Sequence, residues 1–428
     1  MSRMTGGIAV FSSAPVRHRN HDVEYEYRQD SDFYYLTGFE EPDSFCVLAP
    51  GHRRHEYVLF VRPRDREKET WNGYRAGVEG AIQNFGAEMA YTNDQLEEML
   101  TEMLQNAPAL YYSLNKHPET DQRIFRILEA VRAKYRIGIH PPSQIIDPRD
   151  TLSEMRLLKN EADLDLLRRA VEISAEAHVA AMKAAAPHKH EYEIQAVLEY
   201  VFRTGGARRN GYQCIVGSGP NACILHYREN TRRMEDGDLL LVDAGAEYGY
   251  YTGDITRTYP VNGKFSPEQK AVYEVVLDVQ KRAILQARAG NTITAVHEFT
   301  LRALTEGMLS LDLLTGGLEE NLEKENYQKY YMHRTSHWLG MDVHDAGRYK
   351  SADGWRVLEP GMVLTIEPGL YISPQDEHTR FAGIGVRIED DVLVTAAGPQ
   401  VLSAACPKEA AQLEEIVGSR RSDKPFQD

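Results

Sequence analysis

Two apolar runs of strand length end on an acid: LLLVD at Asp243 and LTIE at Glu367. Each acid is followed two positions later by a glycine, Gly245 or Gly369. The wider pattern repeats as well. GDLLLVDAG and GMVLTIEPG both read Gly, any residue, four mostly apolar residues, acid, any residue, Gly, at a constant offset of 124 positions. Downstream of each copy lies a second acid in a strand-like segment, Asp254 in GDITRTYPV and Glu389 in GVRIEDDVLV. A strand–turn–strand unit used twice brings four carboxylates to one place. An unpaired carboxylate against an apolar core is strongly disfavoured, so it must find a buried cation, hold a proton, or bind a metal ion. The nearby fixed cations are Arg257 and Arg387, too few for four acids. For any one acid a capped or salt-bridged carboxylate is the better reading, but for the four together the metal reading is well ahead. Carboxylate-rich sites suit hard or borderline divalent ions such as manganese.

Histidines add to the set. HRTSHWLGMDVHDAG carries His333, His337 and His344 among small and apolar residues, and His226 sits in ILHYREN. A lone histidine beside apolar residues is more often a satisfied core group than a ligand. His333 and His337 have the four-residue spacing of a helical zinc pair, but the glutamate of HExxH is missing and that motif fails. One nitrogen ligand joining four carboxylates, with the other histidines near substrate, is the better reading. Alternation along a strand puts Arg387 and Glu389 on one face of GVRIEDD, and Thr365 and Glu367 on one face of LTIE. Arg387 is thereby placed to orient a carboxylate.

These groups need a scaffold, and the chain supplies strands and helices in alternation. GIAVF, SFCVLAP, EYVLFVRP and ALYYSL are short apolar runs of strand type, while NDQLEEMLTEML and ETDQRIFRILEAVRAKY repeat apolar residues at helical spacing. The first third therefore reads as an α/β domain over residues 1–150. The proline-bearing IGIHPPSQIIDPRD reads as a connector. From about Ser153 a long helical pattern runs until Pro187, and HEYEIQAVLEYVFRTGG makes a second helix. SPEQKAVYEVVLDVQKRAILQARAG is a third, from the N-cap Ser266 to Gly290, and TAVHEFTLRALTEGML a fourth. With strands between and after them, residues 151–428 form an α+β domain. The polar tail after Gly418 reads as disordered.

Composition excludes several classes. Of 428 residues, 42% are hydrophobic and 26% charged, as in a globular protein with a real core. The net charge of −15 argues against a surface that tracks phosphates, so no nucleic-acid partner is expected. No stretch approaches the roughly 20 apolar residues that span a bilayer. The start lacks a secretory pattern, and Cys46, Cys214, Cys223 and Cys406 form no CxxC pair. They read as reduced thiols of a cytoplasmic protein.

The segments HYREN, LLVDAGAEYGYYTGDITRTYPVNGKF, SHWLGMDVHDAG, VLTIEPGLY and GIGVRIEDDVLV resemble the successive motifs of the aminopeptidase P and prolidase branch of the creatinase and methionine aminopeptidase superfamily. RNHDVEYEYRQDSDFYYLTGFEEP is similar to the amino-terminal region of aminopeptidase P, so the likeness covers most of the chain. The resemblance implies a pita-bread catalytic domain behind a smaller α/β domain. It implies two divalent ions, manganese first, with cobalt or zinc as alternatives. Asp254 and Glu389 would bridge both ions, Asp243 would complete one, and His337 with Glu367 the other. Water held at the ions would be the nucleophile, and Glu367 would relay its proton to the leaving nitrogen. His344 and His226 would contact the reacting carbonyl. His333 would line the proline side, with Arg387 and Tyr371 on the substrate side. Trp71, in ETWNGYR, reads either as a local packing anchor or, by the resemblance, as a residue reaching a neighbouring subunit's site in a tetramer. Substrates would be peptides with proline second.

Creatinases and non-catalytic relatives of this fold lack the five-ligand set, and methionine aminopeptidases generally lack such an amino-terminal domain. Prolidase, confined to Xaa-Pro dipeptides, is the close rival. The run YRQDSDFYYLTGF resembles aminopeptidase P more than prolidase.

Overall fold

A computed structural model describes residues 1, 4 and 6–419, so the tail beyond lies outside the described residues. The chain divides into two compact units, Met1–Leu152 and Ser153–Asp428.

In the first unit, β1 (Ile8–Ser12) is followed by a small exposed ribbon of β2 (His18–Asn20) and β3 (Val23–Glu24) and by helix α1 (Ser31–Thr37). Then come β4 (Phe45–Leu48), β5 (Tyr57–Val61), α2 (Arg66–Asn72), α3 (Gly77–Phe85) and β6 (Met89–Thr92). Helix α4 (Leu96–Met103), β7 (Ala109–Tyr111), α5 (Pro118–Arg132) and β8 (Gln144–Ile146) complete it. Six strands form one mixed sheet in the order β6-β5-β4-β1-β7-β8. Strand alternation decides its two faces. Phe45, Val47, Val58 and Phe60 pack on Leu96 and Leu100 of α4 and Ile124, Ile127 and Val131 of α5. Their neighbours Cys46, Leu59 and Val61 face Phe33 of α1 and Ala81 of α3. Burying each large apolar side chain stabilises by roughly 2 kcal/mol.

Two expectations change here. The proline-bearing segment before residue 150 is more than a connector, because Gln144–Ile146 pairs in parallel with β7 as the sheet's edge. Trp71 lies in a helix rather than a loop, since Asp65 caps α2 by accepting the Glu67 and Lys68 amides at 3.1 and 3.2 Å.

The second unit begins within α6 (Arg149–Leu157) and continues into α7 (Glu161–Ala184), so the long helical pattern is two helices. Asn160 causes the break: its side chain accepts the Ala162 amide at 2.8 Å while Asp163 answers on the Asn160 amide at 2.9 Å. Helix α8 (Glu191–Thr204) ends at Gly205. Next come β9 (Arg209–Asn210), β10 (Ile215–Ser218), β11 (Leu239–Ala244), β12 (Ala246–Tyr248), β13 (Tyr251–Thr252) and β14 (Ile255–Pro260). Helix α9 (Pro267–Ile284) starts at Ser266 as expected but stops six residues before Gly290, which serves a later turn with φ of 87°. Helix α10 (Ile293–Ser310) and the short α11 (Leu318–Glu323) precede a ribbon of β15 (Lys350–Ser351) and β16 (Gly354–Trp355). Strands β17 (Val363–Ile366), β18 (Gly369–Tyr371), β19 (Gly385–Arg387), β20 (Asp390–Thr395) and β21 (Gly398–Val401) follow, and α12 (Ala410–Ile416) closes the unit.

The internal repeat is visible as two broken hairpins. Strand β11 pairs with β14, and beyond a break β12 pairs with β13. In the second copy β17 pairs with β20, and beyond its break β18 pairs with β19. The copies differ in their third strand, β10 beside β11 but β21 beside β20. Helices α9 and α10 cover the second copy through Ala283, Ile284, Ile293 and Val296 against Leu364, Ile366 and Val392. Cys46, Cys214 and Cys406 are buried free thiols, and Cys223 is half-buried. No described helix is long and apolar enough to cross a membrane.

Candidate metal centre

Each of the four acids stands at a hairpin break. Asp243 is the penultimate residue of β11 and Asp254 immediately precedes β14. Glu367 immediately follows β17 and Glu389 immediately precedes β20. The repeated glycine now has a physical cause. A Cβ on Gly245 would sit 1.6 Å from the Gly253 carbonyl oxygen, and one on Gly369 would meet Val386 O at 2.8 Å. Only glycine lets the two strands close up directly beyond the acid. The two copies then meet through a bridge between Thr256 and Glu389.

One ligand atom each from Asp254, His337 and Glu389 lies within 4.8 Å of the others, a grouping able to hold a metal ion. His337 Nε2 is 3.3 Å from Asp254 Oδ2 and 3.5 Å from Glu367 Oε1. Its Nδ1–H donates to the Trp338 carbonyl at 3.1 Å, which directs Nε2 at the acids. Asp243 joins through Tyr212, whose hydroxyl bridges Asp243 Oδ1 at 2.7 Å and Asp254 Oδ1 at 2.6 Å. Arg387 donates to Asp243 Oδ2 at 2.6 Å, to the Tyr371 hydroxyl at 3.0 Å and to Thr256 Oγ1 at 3.1 Å. Thr256 in turn donates to Glu389 Oε2 at 2.6 Å.

The charge balance tests whether this set fits divalent cations. Asp243, Asp254, Arg387 and Glu389 are buried, and Arg387 is the fixed cation the structure sets directly against these acids. Burial pushes the Glu367 carboxyl up to about 7, with Asp254 and Asp243 adding to the rise against His337 and Arg387. Glu389 is held well above the usual carboxylate range by burial and by Asp254 and Glu367. Burial would depress His337, yet Asp254 and Glu367 reverse that and lift it to about 9. An imidazole recruiting a proton amid crowded acids is a site short of positive charge. Divalent ions supply that charge compactly, and four carboxylates with one imidazole nitrogen are the donors they accept. The residues present fit divalent metal ions.

The site opens on a cavity of about 770 Å³ whose lining includes His226, His297, His333, His344, Tyr349 and Trp355 together with the acids. His333 Nε2 is 2.9 Å from the Tyr371 hydroxyl, and burial followed by the Arg387 charge lowers its pKa to about 3, so it is neutral. The His344 ring meets the His337 ring edge-on at 4.5 Å between centroids. Burial, then His337, also lowers the His344 pKa. His226 and His344 are exposed to the cavity side. Of the residues singled out from sequence, ten come together here. Trp71 belongs to the first unit, on α2, and is 83% exposed.

Three participants were not singled out. Thr256 and Asp391 were legible in principle, since each lies two residues beyond an acid of the site and strand alternation keeps them on its side. Asp391 accepts the Asp254 amide at 3.0 Å. The intervening Asp390 faces the other way, onto the buried Arg257 at 2.7 Å. Tyr212, in NGYQC, carries no pattern at all.

Residues 165–396 match the metallopeptidase family M24, and residues 1–111 match the aminopeptidase P N-terminal domain. The chain is similar to the Xaa-Pro aminopeptidase of Haemophilus influenzae, with 44% identity covering 96% of this chain and 93% of that one. It is similar to the Xaa-Pro aminopeptidase of Escherichia coli K12 at 41% identity, covering 97% and 95%. Among solved structures, Pseudomonas aeruginosa aminopeptidase PepP superposes with a TM-score of 0.97 at 46% identity, covering 99% of this chain and 96% of that one.

Proposed function

The chain belongs to the metallopeptidase family M24, and from that premise we propose that it is a metal-dependent Xaa-Pro aminopeptidase releasing the first residue of peptides whose second residue is proline. The observation that carries this is the meeting of Asp243, Asp254, Glu367 and Glu389 with His337 at the breaks of two duplicated hairpins. Asp254 and Glu389 would hold both ions, Asp243 one of them, and His337 and Glu367 the other. Such ions supply an acidified water and a positive seat for the charge that develops on the attacked carbonyl.

This chain's own residues do the rest. Glu367, beside His337 and facing the cavity, suits a group that takes a proton and gives it to the proline nitrogen. The scissile bond carries no N–H and the ring holds φ near −65°, so recognition must rest on shape. His333, neutral and hydrogen-bonded to Tyr371, offers a ring face for the proline. His226 and His344 donate to the carbonyl as it becomes tetrahedral. Arg387 steadies Asp243. We place the native metal as manganese, the enzyme in the cytoplasm, and the assembly as a homotetramer in which the exposed Trp71 meets a neighbouring subunit.

Elemental analysis of the purified protein tests the reading: two divalent ions per chain are expected, with activity lost on chelation and restored by manganese. Full turnover in a protein shown to be metal-free would refute it.

A further inference from the structure

Glu191, the first residue of α8, is fully buried and gathers five donors on one carboxylate. Oε1 accepts the Ser218 amide and hydroxyl, each at 2.7 Å, and Asn221 Nδ2 at 3.1 Å. Oε2 accepts the Tyr227 hydroxyl at 2.8 Å and the Arg232 amide at 2.9 Å. The Glu191 amide donates back to Arg232 O at 3.0 Å, closing a two-way clasp. One helix turn along, Gln195 accepts from Asn230 Nδ2 at 2.9 Å. Both ends of the segment 218–232 are thus tied to α8.

That segment carries Leu225 and His226, which line the cavity of the metal centre. His226 is itself exposed, so its position is set by its neighbours in the chain. The next residue, Tyr227, is buried against Ile215, Leu241 and Tyr371, with its hydroxyl on Glu191. We infer that Glu191 is a positioning residue for this enzyme, holding the 218–232 segment so that His226 presents its imidazole to the substrate carbonyl. The inference rests on the substrate role given to His226 above.

The chemistry requires a carboxylate and not an amide of the same shape. Two of the five partners are backbone N–H groups that only donate, one on Oε1 and one on Oε2. A glutamine places its NH2 against an N–H in either orientation, leaving buried donors without acceptors.

A double-mutant cycle tests this on the metal-loaded enzyme with an Xaa-Pro-Yaa peptide. E191Q is expected to lower kcat about tenfold through misplacement of His226, with metal content unchanged. In the His226→Ala background the same change should cost less than about twofold, because the group it positions is gone. Hydrogen exchange should quicken in 218–232 and not in β11. An equal loss in both backgrounds, or wild-type kcat in E191Q, overturns the inference. If E191Q does not fold, Tyr227→Phe removes a single donor and carries the same cycle, with a smaller loss that again vanishes beside His226→Ala and an additive loss overturning the inference. Wild-type turnover in His226→Ala would sink the role of His226, and the inference with it. That outcome differs from failure of Glu191 alone, where His226→Ala is slow and E191Q is not.

Discussion

Glu367 and His344 both face the same cavity, yet their surroundings assign them different duties. Glu367 is 3.5 Å from His337 Nε2 and shares its environment with Asp254 and Asp243. Glu367→Ala therefore removes a metal donor and a proton carrier together. It is expected to lower both metal content by elemental analysis and turnover. His344 touches His337 through its ring edge and stands at the cavity side. His344→Ala is expected to keep both ions and slow kcat by about 10²-fold, as for loss of one group that steadies the transition state. Wild-type rates would remove its assigned role, while loss of metal would make it a structural support. The acids were legible because Asp243 and Glu367 close apolar strands at one repeated offset and Asp254 and Glu389 open the strands downstream of them. Tyr212 and Glu191 were not, since their partners lie 27–42 positions away and no local period announces such meetings.

At the scale of elements, α7 holds the first hairpin's break from behind. Ser174 accepts the Ala246 amide at 2.9 Å, and His178, one turn on, lies with Nε2 3.0 Å from Ala244 O. The two contacts flank Gly245 and so fix the strand that carries Asp243. Burial drops the His178 pKa from an ordinary 6.5 to about 4. Between those values the unfolded chain binds a proton that the folded chain refuses, so stability is full above about pH 6.5 and falls as pH drops toward 4. For this one group the loss from pH 7.5 to pH 5 is about 2 kcal/mol. Urea unfolding at both pH values should show the wild type losing that much more than His178→Gln. Parallel losses would contradict it. Element positions were readable where capping or apolar period was strong, as at Ser266 and along the leucines of α4. The readings failed where one side chain decides, as at Asn160, or where a short strand such as β8 is defined by its partner.

At the scale of the molecule, two units with their own cores match two family regions, and the repeated acid-bearing hairpin of the second makes the metal centre. The first unit leaves Trp71 and Tyr74 on its surface, 83% and 92% exposed. Large aromatics so exposed suit a surface that another chain covers. Light scattering should give a mass near four chains, and a monomer at working concentration would overturn the tetramer. What the metal centre cuts decides between aminopeptidase P and prolidase action. The most direct measurement is mass spectrometry of the manganese-loaded protein with a matched pair of peptides, Xaa-Pro-Yaa and Xaa-Ala-Yaa, and with the Xaa-Pro dipeptide. Loss of one residue from Xaa-Pro-Yaa and none from Xaa-Ala-Yaa is the predicted result. Equal cleavage of the pair, or cleavage confined to the dipeptide, would contradict it.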